Sequence, residues 1–168
     1  LIVKNTLSDT SGTVITNLVE YEDNLFTGVT SMTNKAMVIV NSSEVFEGGA
    51  ETIFKLLERK KISIDVISES QDQKVFIVDS DAASEVEDIL KQLCAEYRII
   101  NNCSKIFLIG NKASGMEEVM SKLVKTLEVS NVNVLQIATS HKAICCLVGE
   151  EDNKKALNEL HRAFFCAG

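Results

Sequence analysis

An internal repeat constrains the fold of this chain more than any other feature. Ile62-Ser-Ile-Asp-Val-Ile-Ser-Glu-Ser70 returns downstream as Val132-Asn-Val-Leu-Gln-Ile-Ala-Thr-Ser140, at an offset of 70 residues. The repeat keeps its apolar positions and its final serine, which is typical of a buried strand with a polar end. One copy carries Asp65 where the other has Leu135. A shared apolar skeleton with a carboxylate in only one copy predicts a binding site on one unit of a duplicated fold.

The order of the apolar segments around the repeat indicates which unit is duplicated. The first copy has strand patterns at 35–40, 62–70, 74–79 and 97–100 and helix patterns at 50–57 and 86–93. The second copy has strand patterns at 104–110, 132–140 and 142–148, helix patterns at 116–127 and 157–164, and no fourth strand pattern. Strand, helix, strand, strand, helix, strand is the ferredoxin-like order.

An additional strand pattern at 25–32 precedes the first copy and is available to complete the second. We therefore predict an α+β fold of two ferredoxin-like βαββαβ units. In this fold the first unit is inserted between the N-terminal strand and the remainder of the second unit.

Charge and hydropathy exclude several classes of partner. The 168 residues carry a formal net charge of −7, and since nucleic acid binding needs a basic face, we expect no nucleic acid partner. No stretch approaches the roughly 18 uninterrupted apolar residues of a membrane span, so we expect no membrane partner. The chain starts at Leu1 without a signal-peptide pattern, and we interpret it as a piece of a longer, cytoplasmic protein.

The five cysteines are Cys94, Cys103, Cys145, Cys146 and Cys166. Their number is odd and none forms a C-x-x-C motif, so we interpret them as small buried hydrophobic residues in a reducing compartment. Metal binding or thiol catalysis is the alternative.

Several short motifs, in the same order along nearly the whole chain, resemble the regulatory region of the aspartokinases. They include Phe26-Thr-Gly-Val-Thr30, Ile64-Asp-Val-Ile-Ser68, Leu108-Ile-Gly-Asn111, Thr139-Ser-His141 and Leu160-His-Arg-Ala-Phe-Phe165. The last three are most similar to the lysine-sensitive branch of that family. The resemblance implies two ACT domains, which are small βαββαβ modules that bind amino acids.

The resemblance also implies an assignment of the chain to domains. Residues 1–24 would end a kinase domain and form a linker, and residues 25–32 would be the strand that completes ACT domain 2. Residues 33–103 would be ACT domain 1, and residues 104–168 the rest of ACT domain 2. The Lys-x-Gly-Gly kinase signature of the family is absent from these residues. We therefore expect no catalytic activity and no cofactor here, with ATP and magnesium bound only by a separate kinase domain.

The implied function is allosteric control by lysine or threonine, with lysine preferred. A helix start opened by Gly48, Gly49 and Ala50 would bind the carboxylate of the amino acid, because its backbone N–H groups are free. Asp65 would bind an ammonium group. Ser68, Glu69 and Ser70 would orient the rest of the ligand. The family places its effector where two copies of ACT domain 1 meet, so the resemblance implies a homodimer.

Other interpretations of these residues remain open. Asp65 fits a solvated position on an open sheet face, and Gly48-Gly49 fits a plain turn. His141 fits a hairpin turn and His161 a helix surface. The whole chain fits a ligand-free dimerisation module of another metabolic enzyme. An independent small enzyme is disfavoured because no nucleophile or acid–base constellation stands out in the sequence.

Overall fold

The structure, a computed structural model, describes residues 2–3, 13–14, 26–41, 50–70, 72–110, 116–140 and 142–166. The strands are β1 (Ile2–Val3), β2 (Thr13–Val14), β3 (Phe26–Asn41), β4 (Asp65–Glu69), β5 (Gln73–Asp79), β6 (Tyr97–Gly110), β7 (Val134–Thr139) and β8 (Ala143–Gly149). The helices are α1 (Ala50–Arg59), α2 (Ala83–Gln92), α3 (Met116–Val129) and α4 (Asn153–Phe165). No helix in these ranges is long and apolar enough to cross a membrane.

Six strands form one antiparallel sheet in the order β4-β5-β3-β6-β8-β7, and β1 and β2 pair separately. The two central strands are longer than the sequence patterns predict. The patterns at 25–32 and 35–40 are parts of β3, and those at 97–100 and 104–110 are parts of β6. The predicted pair of sheets is therefore continuous.

The pairing of β3 with β6 shows how the two units interlock. Residues 26–32 of β3 pair with residues 105–110 of β6, whereas residues 37–40 pair with residues 97–100. The first half of β3 thus supplies the strand that the second unit lacks, and the second half belongs to the first unit. This pairing confirms the prediction of two ferredoxin-like units with the first inserted into the second. The predicted domain boundaries after residues 32 and 103 fall inside β3 and β6, and the residue numbers of all the boundaries stay a prediction.

Successive side chains along each strand point to opposite faces of the sheet, one covered by the helices and the other open. In β5, Phe76 and Val78 pack with Leu57 and Leu90 of the helices, whereas Ile77 lies on the opposite face. Around β6 and β8, Ile106 and Ile144 pack in the same way under α3 and α4. The two helix-covered clusters are the main cores. A smaller cluster on the open face joins both units through its buried members Met37, Ile77, Cys103 and Leu147.

The two long strands bend where the units meet. Pairing between β3 and β6 shifts register between Met32 and Lys35 and again between Lys35 and Met37. Asn34 and Asn102 have positive φ values of 60° and 55°, and asparagine adopts this conformation more readily than most residues. Bulges of this kind increase the twist and bend of a strand.

The 70-residue repeat extends into the helix ends. Lys61 donates its N–H to the Glu58 carbonyl at 2.8 Å, and Ile62 donates to Leu57 at 2.9 Å. Asn131 and Val132 repeat these bonds after α3. This is the Schellman termination, in which the first residue beyond the helix cap adopts positive φ. Lys61 has φ 59° and Asn131 has φ 50°, so each unit turns from helix to strand in the same way.

We expect Lys61→Gly to raise the free energy of unfolding by about 0.5–1 kcal/mol. The left-handed conformation costs a side-chain-bearing residue about 1–2 kcal/mol, and glycine avoids this cost at the expense of some entropy. Urea denaturation of both proteins measures the change. Lys60→Gly, one residue earlier, is the matched control and should destabilise the fold. Stabilisation by both substitutions would contradict the assignment.

Candidate functional site

The structure places Asp65 at the first position of β4, on the open face of the sheet. Asp65 lies opposite Ile77 of β5 in the register, and directly opposed residues share a face. The side chain of Asp65 is 51% exposed. The next residue, Val66, has φ 49° and sits in the register shift between Asp65 and Ile67. A β-branched residue with positive φ is strained, and such strain is concentrated at functional sites.

Asp65 forms an ion pair that the sequence analysis did not predict. Its Oδ2 atom contacts Nζ of Lys105, which belongs to the second-unit half of β6. The Lys105 side chain is only 2% exposed and also lies over the Phe107 ring, with Nζ 4.8 Å from the ring centroid. The side chain of Lys105 thus supplies a buried ammonium group to a half-exposed carboxylate. The two units are joined here by charge as well as by backbone pairing.

The ion pair requires a strongly curved sheet. β4 and β6 are separated by β5 and β3, so in a flat sheet their axes would be about 14 Å apart at about 4.8 Å per strand. The four-carbon stem of a lysine does not cover that distance. The edge strands also converge on this face, because Val66 of β4 and Leu135 of β7 pack against the same open-face cluster. Curvature therefore brings the Asp65 carboxylate to Lys105.

Leu135 occupies a related but shifted position in the second unit. The register of β7 against β8 shifts between Val134 and Gln136 and leaves Leu135 unpaired, whereas in β4 the unpaired residue is Val66. Both unpaired side chains pack on the open face. The Asp65/Leu135 contrast seen in the sequence is thus accompanied by a one-residue displacement of the bulge.

The other predicted site residues are only partly described. Ser68 is exposed on β4, and Glu69 is the last residue of that strand. The Ser70 hydroxyl accepts a hydrogen bond from the Gln73 backbone N–H at 3.1 Å, and Ser140 repeats this contact with Ala143, so Ser70 shapes the hairpin turn. Ala50 begins α1. Gly48 and Gly49 lie outside the described residues, and their proximity to Asp65 stays a prediction.

Of the two histidines the structure describes His161, whose Nδ1 atom lies 3.6 Å from Sγ of Cys166 at the exposed end of α4. His161 is exposed on α4 and stacks on Phe165 with ring centroids 5.3 Å apart, which agrees with the predicted helix-surface position. His141 lies outside the described residues. No three His, Cys, Asp or Glu side chains of the described chain are grouped so that they could hold a metal ion.

The cysteines divide into two classes. Cys103, Cys145 and Cys146 are buried, whereas Cys94 and Cys166 are exposed, so the interpretation of all five as buried residues is wrong for two of them. Cys94 follows α2 with φ 51° and lies outside the packed strands. Burial raises the pKa of Cys145 to about 11 and that of Cys146 to about 12. These two thiols are therefore uncharged at neutral pH.

A cavity of about 660 Å³ lies on the helix side, between α2 and β6, and Ser84, Glu87, Tyr97 and Asn101 line it. The Tyr97 hydroxyl donates a hydrogen bond to Glu87 at 3.0 Å, and Lys91 forms an ion pair with the same carboxylate at 2.9 Å. The contacts with Lys91 and Tyr97 lower the pKa of Glu87. The carboxylate in this cavity is thus already paired, and the cavity is on the opposite face of the sheet from Asp65.

Comparison with known proteins connects this geometry to a family. The model of the ACT domain matches residues 106–164. Aspartokinase 1 of Bacillus subtilis is 27% identical over 96% of this chain and 42% of its own length. The ligand-free regulatory subunit of aspartate kinase from Thermus thermophilus superimposes with a TM-score of 0.72 at 25% identity, over 84% of this chain and 99% of that subunit. Over nearly its whole length this chain is similar to the regulatory region of the aspartokinases.

The relatives named here are longer than this chain, whereas the isolated regulatory subunit is not. The chain spans less than half the length of the curated relatives, and almost the whole of the isolated Thermus subunit. The lysine-sensitive aspartokinase 3 of Escherichia coli is 25% identical over 92% of this chain and 36% of its own length. The predicted resemblance and the tandem ACT fold of the regulatory region are thereby confirmed.

We expect Asp65→Ala to lower the free energy of unfolding by about 3 kcal/mol, because the buried Lys105 ammonium loses its partner. Lys105→Met should cost less than about 1.5 kcal/mol, since it removes the buried charge with little change in volume and leaves Asp65 to water. Urea unfolding of the two variants measures the difference. If both variants lost the same free energy of unfolding, the Asp65 carboxylate would not be stabilising the buried charge of Lys105.

Native-state labelling at pH 8 with a disulfide reagent should modify Cys94 and Cys166 quickly and the other three cysteines slowly. Exposure admits the reagent to the first two, and the raised pKa values of Cys145 and Cys146 suppress their thiolates. Mass spectrometry of timed samples identifies the labelled residues, and denaturant should make all five reactive. Rapid native labelling of Cys145 would contradict the structure.

Proposed function

We propose that this regulatory region binds a free amino acid, with lysine preferred over threonine, and transmits the binding to an aspartokinase catalytic domain as feedback control. The main observation behind the proposal is the exposed carboxylate of Asp65 beside the strained Val66, in the unit whose repeat partner has Leu135 instead. The E. coli relative is named for its sensitivity to lysine. The catalytic domain would hold ATP and magnesium and would act in the cytoplasm.

The proposed site brings the two ends of a zwitterion to two different elements. The ammonium of the ligand binds Asp65, and its carboxylate binds the free backbone N–H groups at the start of α1, where Ala50 follows Gly48 and Gly49. Ser68, Glu69 and Ser70 contribute hydroxyl, carboxylate and backbone groups along the end of β4. A ligand that bridges these two elements would order residues 41–49 against the polar end of the 62–70 strand when it binds.

A homodimer through the first unit would complete this site. β4 is an edge strand of the sheet, so one side of its backbone is open to a second chain. Ile67 on this strand is 57% exposed, which is unusual for a large apolar side chain. We propose that residues 33–103 form this dimer contact as ACT domain 1. Residues 25–32 and 104–168 would form ACT domain 2, and residues 1–24 would continue toward the kinase domain.

The transmission of the signal needs little free energy. A coupling of about 1–3 kcal/mol changes the affinity at a second site by about 5- to 150-fold. The continuous strands β3 and β6 run through both units, so a change in curvature at Asp65 also alters the second unit. A module that only dimerises would lack this response.

Lysine should bind the chain and raise its melting temperature, since a ligand that binds only the folded state stabilises it. Asp65→Asn should weaken lysine binding about 10-fold or more, because it removes a charge-assisted hydrogen bond worth about 1.5–3 kcal/mol. Isothermal titration calorimetry with lysine and threonine measures both effects.

Asp81→Asn serves as the control for this experiment, since Asp81 is an exposed carboxylate in the turn between β5 and α2. It should bind lysine as the wild type does. If neither lysine nor threonine changes the melting temperature of the wild-type chain, that result would support the ligand-free dimerisation module instead. Equal binding by wild type and Asp65→Asn would place the effector elsewhere.

A further inference from the structure

The ion pair between Asp65 and Lys105 bears directly on how tightly an effector can bind. The carboxylate proposed to receive the ammonium of the effector already contacts an ammonium from its own chain. Chemically, the Lys105 side chain is the same group as the side chain of a lysine effector. Two cations therefore compete for one carboxylate, one of them covalently attached to the protein.

Lys105 and Asp65 are buried to different extents, and this difference decides which of them a ligand can reach from solvent. Lys105 is 2% exposed and approaches Oδ2 of Asp65 from the open-face interior, whereas the Asp65 side chain is 51% exposed. Solvent-exposed surface is therefore available to a ligand on Asp65 and is nearly absent on Lys105. The carboxylate of an effector has little access to Lys105 at this position, because the Lys105 side chain is almost fully buried.

We propose that Lys105 is an internal competitor that sets the concentration at which the effector binds Asp65. This proposal rests on the proposed function. If the effector shares the carboxylate, its ammonium is repelled by the nearby Lys105 ammonium. If the effector displaces Lys105, a buried cation is left without its carboxylate. Both routes weaken effector binding, and both disappear when residue 105 carries no charge.

The arrangement also gives the effector a route to the second unit. Lys105 lies on β6 opposite Leu147 of β8, and its ion pair spans the curved open face to β4. An effector that weakens this ion pair loosens the contact between β4 and the second unit. Lys105 is thus a positioning residue, which acts on the effector through Asp65 without touching it.

Calorimetric titration of lysine into wild type, Lys105→Met, Asp65→Asn and the double variant Lys105→Met/Asp65→Asn tests the proposal. Lys105→Met should bind lysine at least about fivefold more tightly than wild type, at the lower end of typical coupling between sites. The gain should vanish in the Asp65→Asn background, because the two residues act through one contact. Leu147→Met, a volume-conserving change beside Lys105, is the matched control and should bind lysine as the wild type does. Thermal melting of each variant verifies that it is folded.

The outcomes separate this inference from the proposed function. If wild type binds lysine and Lys105→Met binds it equally or more weakly, the role of Lys105 is wrong and the effector site stands. A gain that persists in the Asp65→Asn background, or that Leu147→Met reproduces, also overturns the role of Lys105. If no variant binds lysine or threonine, the effector site is wrong and the role of Lys105 is overturned with it.

Discussion

The structure depends on the antiparallel pairing of β3 with β6 along almost their whole lengths. Each strand belongs to both ferredoxin-like units, so neither unit has a complete sheet without the other. These pairings join residues far apart in sequence, so the contacts that complete each sheet are long-range. The bulges near Asn34 and Asn102 then bend the shared strands at the point where one unit passes into the next.

The curvature of the sheet brings together the residues of the candidate site. The open face of the sheet would be flat and solvated if the strands were straight, and Lys105 would then be an exposed cation. In the curved sheet Lys105 is buried by Phe107 and the open-face cluster, and Asp65 from the far edge compensates its charge. A residue that the sequence offers as a ligand group is therefore also a structural partner. If Asp65 also binds an effector, as we propose, the two roles share one carboxylate, and effector affinity is linked to the contact between the units.

The two units are alike in their local backbone features and differ in their long-range contacts. The two copies keep the same Schellman termination after their first helix and the same serine contact in the hairpin that follows. These features are local, and each is fixed by backbone hydrogen bonding within a few residues. The copies differ where contacts are long-range: Asp65 meets Lys105, whereas Leu135 packs into the open-face cluster. The difference between the copies at this position therefore follows from their different long-range partners.

The sequence by itself determined the elements of this protein, because the spacing of apolar residues records which side of each helix and strand is buried. It predicted the repeat, the ferredoxin-like order and the strand at 25–32. It also singled out Asp65, whose role in ligand binding stays a prediction. It did not predict that two pairs of strands are continuous, since the polar residues at 33–34 and 101–102 are typical of turns and the bulges that accommodate them depend on pairing partners. Nor did it reveal Lys105, a single cation in the apolar segment 104–110. Only the tertiary structure decided its partner, because that contact is created by curvature, and curvature is a property of the assembled sheet.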